Sequence, residues 1–216
     1  MKEHSLAEQR TEKKRAQIRA AAKGLFLQSG FQGTSMDAIL AASGIASKDT
    51  LYRYYASKEE LFVDVLRSIT TASLHLVQLK EQSVEPRSLQ ELRMLLRTIA
   101  QDVLETMLQP EYLAVLRLTI AETARFPEIG TLFRQTVPEP ALHAFQTLLR
   151  RGQVNGVVRE SIDLPTIGRM FFGTLLTYPI LDGILLNMQP PQMPEASVID
   201  AIVENIIKVL SVKNNG

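Results

Sequence analysis

Residues 34–62, TSMDAILAASGIASKDTLYRYYASKEELF, decide the fold. They read as two short helices joined by a tight turn, followed by the capped start of a longer helix. Thr34 or Ser35 can cap the first, since a short hydroxyl side chain accepts from an otherwise orphaned amide. Met36, Ile39 and Leu40 are spaced for one buried face. Gly44 ends this helix, as a residue tolerating positive φ does. Ser47 then caps a second short helix, Lys48 to Tyr54, which carries hydroxyls, a lysine, an arginine and tyrosines. That is the layout of a helix-turn-helix, whose second helix is short and polar enough for a DNA major groove. Ser57 caps the following helix, with Glu60 at its third position completing a capping box.

On these residues the segment resembles the DNA-binding domain of TetR-family transcriptional regulators. That family's pattern runs roughly T-x-x-x-I-A-x-x-A-G-V-S-x-x-T-L-Y-x-Y-F-x-S-K-E-x-L. Thr34, Ile39, Gly44, Ser47, Thr50, Leu51, Tyr52, Tyr54, Ser57, Lys58, Glu59 and Leu61 match it in order. Tyr55 replaces the usual phenylalanine and Ser43 the usual alanine. The turn departs further: Gly44-Ile45-Ala46-Ser47 stands where the family has Gly-Val-Ser, one residue longer. An added residue there can rotate the second helix and change individual base contacts.

Composition sets outer bounds. With 216 residues, 45% of them hydrophobic and 22% charged, the chain suits one large or two small globular domains. Zero cysteines exclude disulfides, thiolate zinc sites and cysteine nucleophiles, and are compatible with a reducing cytoplasm. The charged start (Lys2, Glu3, His4) does not suit a signal peptide. The most apolar stretch, Met170 to Leu186, is short for a membrane span and broken by Pro179 and Asp182, so we expect it buried in protein. Net charge is only +1, but it is unevenly spread. Up to Tyr55, nine basic residues face five acids, a balance of +4 that leaves −3 for the remainder. A basic end on an acidic body fits a phosphate-facing head.

The periodicity predicts helices throughout, about nine to ten of them. Helix one runs from about Arg10 to Ser29, with Ile18, Ala21, Ala22, Leu25 and Phe26 on one face and Gly30 closing it. The fourth helix continues from Ser57 to about Lys80. Helix five spans about Ser88 to Leu108. Pro110, Pro127 and the pair Pro138 and Pro140 open helices six, seven and eight, where a missing amide costs nothing. Helix nine covers roughly Leu164 to Leu186, and a last helix Ala196 to Val212. The expected class is all-α, with a three-helix helix-turn-helix domain (residues 1–56) and a larger helical domain (residues 57–216) joined by the long fourth helix. Met1 to about Gln9 read as a frayed arm, from which Arg10 or Lys13 can reach a minor groove.

The resemblance implies a dimer that sets two recognition helices on an approximately inverted-repeat operator in double-stranded DNA. The residues at family DNA-contacting positions are Ser47, Lys48, Thr50 and Tyr52, with Thr34 and Ser35 at the preceding helix start. Lys58, at a helix N-terminus, is expected to meet a phosphate, and Tyr54 to touch the backbone. Leu51 and Phe31 should pack inward, with Tyr55 a weaker contact candidate, and Asp49, which phosphate would repel, should point at a base edge, pair with a neighbour or face solvent.

The second domain resembles the family's ligand-binding and dimerisation region, most visibly over residues 117–136, RLTIAETARFPEIGTLFRQT. His75, Met94, Met107, Tyr112, Arg117, Phe133 and Met170 are large, adaptable or polar on apolar elements and stand as candidates for a small-molecule effector. Ordinary core packing is the competing reading for each methionine, and a partner such as Glu122, or simple exposure, for Arg117. Phe145, Leu148, Leu149, Phe171 and Leu175 are expected at a homodimer interface, against burial by their own domain. Gly168, Gly173 and Thr174 would permit close approach.

No cofactor is called for. His4, His75 and His143 are far apart without metal-ligand spacing, no glycine-rich phosphate loop is present, and no serine has a nominated base, so catalysis is not expected. The expected function is a repressor released from its operator by a small hydrophobic or aromatic molecule. A ligand-responsive activator, and a helical interaction module with impaired DNA binding, are the alternatives.

Overall fold

A computed structural model of the chain describes residues 6–70, 84–188 and 191–211. It is helical throughout: α1 Leu6–Gly33, α2 Met36–Ser43, α3 Lys48–Tyr54, α4 Lys58–Ile69, α5 Leu89–Met107, α6 Pro110–Thr123, α7 Pro127–Thr136, α8 Pro138–Val154, α9 Leu164–Tyr178 and α10 Ala196–Leu210. Among the described residues the only extended pairing is an isolated antiparallel bridge between Val158 and Ser211. None of their helices is long and apolar enough to cross a membrane.

The starts and stops follow the expected chemistry. Ser35, rather than Thr34, caps α2 by accepting from the Ala38 amide at 3.1 Å. Ser47, Ser57, Ser88 and Asp163 do the same for their helices. Glu60 closes its box one residue early, its carboxylate accepting from the Ala56 amide at 2.7 Å. At Gly30 the backbone leaves helical geometry (φ 75°, ψ 169°), a region open in practice only to glycine, so the regular part of α1 stops where expected. Its start differs, since Leu6 to Gln9, expected in a frayed arm, are already helical.

Two further boundaries shift. The expected course of the fourth helix beyond Thr70 lies outside the described residues, as does His75. Helix nine ends at Tyr178, because Pro179 cannot continue the hydrogen-bond ladder. The chain passes there into a π-helical turn, Pro179–Leu185, closed by the Leu186 amide on the Leu181 carbonyl at 2.8 Å.

The chain divides into two compact units, Met1–Ile69 with Ala114–Thr136, and Thr70–Leu113 with Val137–Gly216. In the first, α1 packs on α2 and α4, and α7 packs on α4. Its core holds Phe26, Phe31 and Phe62 with ring centroids 5.1–5.5 Å apart. In the second, α5 packs on α9 and α10, and α8 on α9. Its core includes Leu92, Leu96, Phe145, Phe171, Leu175 and Val203, all essentially inaccessible. The two arginines Arg93 and Arg97 of α5 tie its outer side to Glu204 and Asp200 of α10.

The residues expected at the dimer interface lie inside their own subunit. Phe145, Leu149, Phe171 and Leu175 are 0% exposed and Leu148 4%. Phe145 stacks on Phe171 at 4.9 Å within one chain, and a Cβ at Gly168 would touch Leu142 at 3.1 Å. These side chains are the core of their own subunit, because α5 and α10 supply the cover that a partner was expected to give. The exposed side of α9 carries Met170, Gly173, Thr174 and Thr177 instead, and a side chain at Gly173 would meet open space.

Candidate nucleic-acid interface

α3 stands on a narrow base. Leu51 is wholly buried and anchors it, while Ser47 at its start accepts from the Thr50 amide at 3.2 Å and lies 2.9 Å from the Thr50 hydroxyl. At its other end the Tyr55 amide donates to the Leu51 carbonyl at 3.1 Å. The preceding turn is bounded by Gly44 in the left-handed region (φ 65°) and Ser47, with Ile45 and Ala46 between them. The extra residue is thus accommodated between two intact caps.

Of the expected contact residues, Ser35, Ser47, Lys48 and Tyr52 are exposed, Tyr52 by 42%, and Thr50 and Tyr54 are half-buried. Lys48 is exposed but not idle: its ammonium lies 2.7 Å from the Asp37 carboxylate of α2, and that ion pair raises its pKa. The pair ties α3 to α2 across the turn. Tyr54 sits beside Arg53, whose guanidinium lies 5.6 Å from its ring centroid.

Two expected contacts turn inward. Thr34 is only 2% exposed, and its hydroxyl donates to the Gly30 carbonyl at 2.8 Å. Lys58 donates to the carbonyls of Phe31 (2.8 Å) and Thr34 (3.0 Å), with its ammonium 4.4 Å from the Phe31 ring centroid. Burial lowers its pKa, opposed by Glu59 and Glu122. The α1–α2 junction leaves carbonyls without helical partners, and a lysine at the start of α4 satisfies them. In this arrangement the ammonium braces the junction and is not free for a phosphate.

Tyr55 is also internal. Its phenol donates to Asp64 at 2.5 Å, and Arg19 donates to the same carboxylate oxygen at 3.1 Å. Burial first, and then that acceptor, push the phenol pKa well above its ordinary value. The Arg15 guanidinium covers its ring at 4.7 Å. Part of the positive charge tallied from the sequence is therefore engaged internally.

Arg53 was not singled out from the sequence, whereas Asp49 was expected at a base edge, beside a pairing neighbour or in solvent; both are exposed on α3. They lie one turn apart, on the side opposite Leu51. Their offset from Leu51, two residues to either side, was the available signal.

The effector candidates are scattered. Met94 and Met170 are 56% and 47% exposed, so neither lines an interior. Met107 packs against the second unit's core, and Tyr112 in that unit is 3% exposed with its pKa raised by burial. Arg117 and Phe133, in the first unit, are half-buried.

Residues 18–65 match the domain family described as bacterial regulatory proteins, tetR family. Residues 94–211 match the AefR-like transcriptional repressor C-terminal domain. No curated protein matches the chain. Among solved structures, the flavonoid-responsive regulator FrrA is 28% identical, with a TM-score of 0.68 over 94% of this chain and 99% of that one. A protein from Mesorhizobium loti MAFF303099 assigned to the TetR-family regulators is 24% identical, with a TM-score of 0.69 over 94% and 99%. A TetR-family regulator from Pseudomonas syringae pv. tomato str. DC3000 is 22% identical, with a TM-score of 0.64 over 91% and 93%. The last two likenesses speak for the fold alone.

Proposed function

The chain belongs to the TetR family of transcriptional regulators, and on that premise we propose that it is a homodimeric, cytoplasmic repressor released from an inverted-repeat operator by a small hydrophobic or aromatic molecule. TetR-family proteins are DNA-binding regulators, not enzymes. The observation that carries the operator reading is α3 itself, a short helix held by one buried leucine and two caps that leaves polar side chains exposed. Residues 1–56 form the operator-binding domain in this reading and 57–216 the effector-binding and dimerisation domain. Ser35, Ser47, Lys48, Thr50, Tyr52 and Tyr54 meet DNA; Thr34 and Lys58 hold the head that presents them.

Two such heads joined in a dimer reach successive major grooves on one face of the duplex. The exposed side of α9, Met170, Gly173, Thr174 and Thr177, is the partner-facing surface, with small residues permitting close helix approach. An effector that binds one spacing of the heads better than another shifts the population and releases the operator. The similarity to FrrA, a flavonoid-responsive regulator, supports an aromatic effector here. Tyr112 is the residue we assign to it, because it is an aromatic side chain only 3% exposed whose burial raises its pKa.

The test is anisotropy binding of the full chain to the intergenic DNA beside its own gene, with scrambled duplex as competitor and a flavonoid panel added afterwards. Tight, competitor-resistant binding that a flavonoid reverses is the expected result. A folded dimer with no preference over scrambled DNA at any duplex tested would sink the operator reading, leaving a helical interaction module.

A further inference from the structure

We propose that Asp49 and Arg53 are the specificity-determining pair of the recognition helix, and that they select a cytosine and a guanine in each operator half-site. The inference rests on the operator reading above and deepens it to the level of base identity.

Leu51 is completely buried, so the side of α3 that faces it marks the floor. At about 100° per residue, positions two before and two after a floor residue lie on the far side. Those positions are Asp49 and Arg53, both exposed and one turn apart. Side chains at that crest reach deepest when the helix enters a groove. Lys48 and Tyr52 flank the crest on one side, Thr50 and Tyr54 on the other.

The charges at the crest decide what they can meet. A carboxylate is repelled by phosphates, so its presence there is unfavourable unless a base edge donates to it. Asp49 has no ion pair among the described residues: the adjacent Lys48 is engaged with Asp37 at 2.7 Å, and the Arg53 guanidinium lies over the Tyr54 ring at 5.6 Å. In the major groove the cytosine N4 amino group is the donor that suits an aspartate, and guanine O6 and N7 form the acceptor pair that suits an arginine. A carboxylate beside a guanidinium therefore complements the donor and acceptors of G·C pairs. A·T pairs leave Arg53 without that paired acceptor edge.

The competing account keeps both residues out of base recognition, with Asp49 merely favouring the positive end of α3 and Arg53 meeting a phosphate. The experiment selects binding sites from a randomised duplex pool with the full-length protein. Anisotropy then measures D49A, D49N and R53A on the winning duplex and on duplexes with single pairs exchanged, across a salt series, with circular dichroism as a folding control. The expected wild-type site carries a G·C pair in each half-site. R53A should lose its preference for the guanine, and D49A for the cytosine, by roughly 5- to 150-fold each. D49N should move the preference toward adenine, which an amide reads in bidentate fashion. Salt dependence should stay unchanged in D49A.

Unaltered base preferences in all three variants would overturn the proposal. So would a uniform affinity loss in R53A with a salt slope smaller by about 0.9, the mark of a lost phosphate contact. A wild-type pool that yields no consensus overturns the operator reading itself and this inference with it.

Discussion

At the scale of single residues, an exposed hydroxyl or ammonium is worth more to DNA than a buried one, and burial sorts the head's candidates. Tyr52→Ala should weaken operator binding severalfold or more while leaving the melting temperature intact, because nearly half of the side chain is exposed. An unchanged affinity in the anisotropy assay would mean that the longer turn points Tyr52 away from the groove. Lys58→Ala should act differently. It strips the carbonyls of Phe31 and Thr34 of a donor, so thermal stability should fall by about 1–3 kcal/mol with the salt slope of DNA binding unchanged. A slope smaller by about 0.9 in a fully stable variant would restore the phosphate role. Tyr55 gives an alkaline signature. Its folded-state pKa is raised, first by burial and then by Asp64, so its contribution to stability is complete below the ordinary tyrosine value of about 10 and is lost as pH rises through the folded value. Tyr112 shifts in the same direction through burial. Denaturation curves of Tyr55→Phe should therefore flatten only part of the alkaline decline; an unaltered decline would remove Tyr55 as a cause.

At the scale of elements, each helix start in the head is set by a side chain a few residues away, which makes those boundaries legible from local chemistry. Ser35, Ser47 and Ser57 satisfy amides that lie three residues on. Gly30 is the corresponding stop, and a side chain there meets two obstacles. The backbone sits in a region that L-residues seldom adopt, and an added Cβ would collide with the Glu122 carboxylate of α6. Glu122 can rotate away, whereas the backbone angle has no such relief. Gly30→Ala should thus cost about 1–3 kcal/mol of stability, read as a lower melting temperature. A neutral substitution would show that the junction refolds around it. What local chemistry did not reveal is that α6 and α7 contribute to the first unit, since the Glu122 and Gly30 approach joins residues far apart in sequence.

At the scale of the whole molecule, apolar surface has two possible covers, the chain itself or a second copy, and periodicity alone does not distinguish them. α9 is apolar nearly all round, yet Phe171 and Leu175 are covered by their own subunit while Met170 and Leu176 remain open to solvent. Met170→Glu should therefore give a folded monomer in sedimentation experiments and abolish tight operator binding, since one head alone loses the second half-site. Dimerisation as strong as wild type would move the interface elsewhere. Phe145→Ala should instead cost about 3–5 kcal/mol of subunit stability, because it empties the stacked aromatic core. Met94 and Met170 lie open to solvent in the single chain, which speaks against their lining an effector cavity within it.

The sequence by itself determined the helical class, the helix-turn-helix and most helix boundaries. Caps, proline positions and the three- and four-residue spacing of apolar side chains act over one or two turns and are readable in order along the chain. Only the tertiary structure decided which way each side chain faces: Thr34, Lys58 and Tyr55 inward, Asp49 and Arg53 outward, and the aromatic stripe of α8 and α9 into its own core. Those outcomes depend on partners such as Asp64, Phe31 and the helices α5 and α10, which packing brings close and sequence distance conceals.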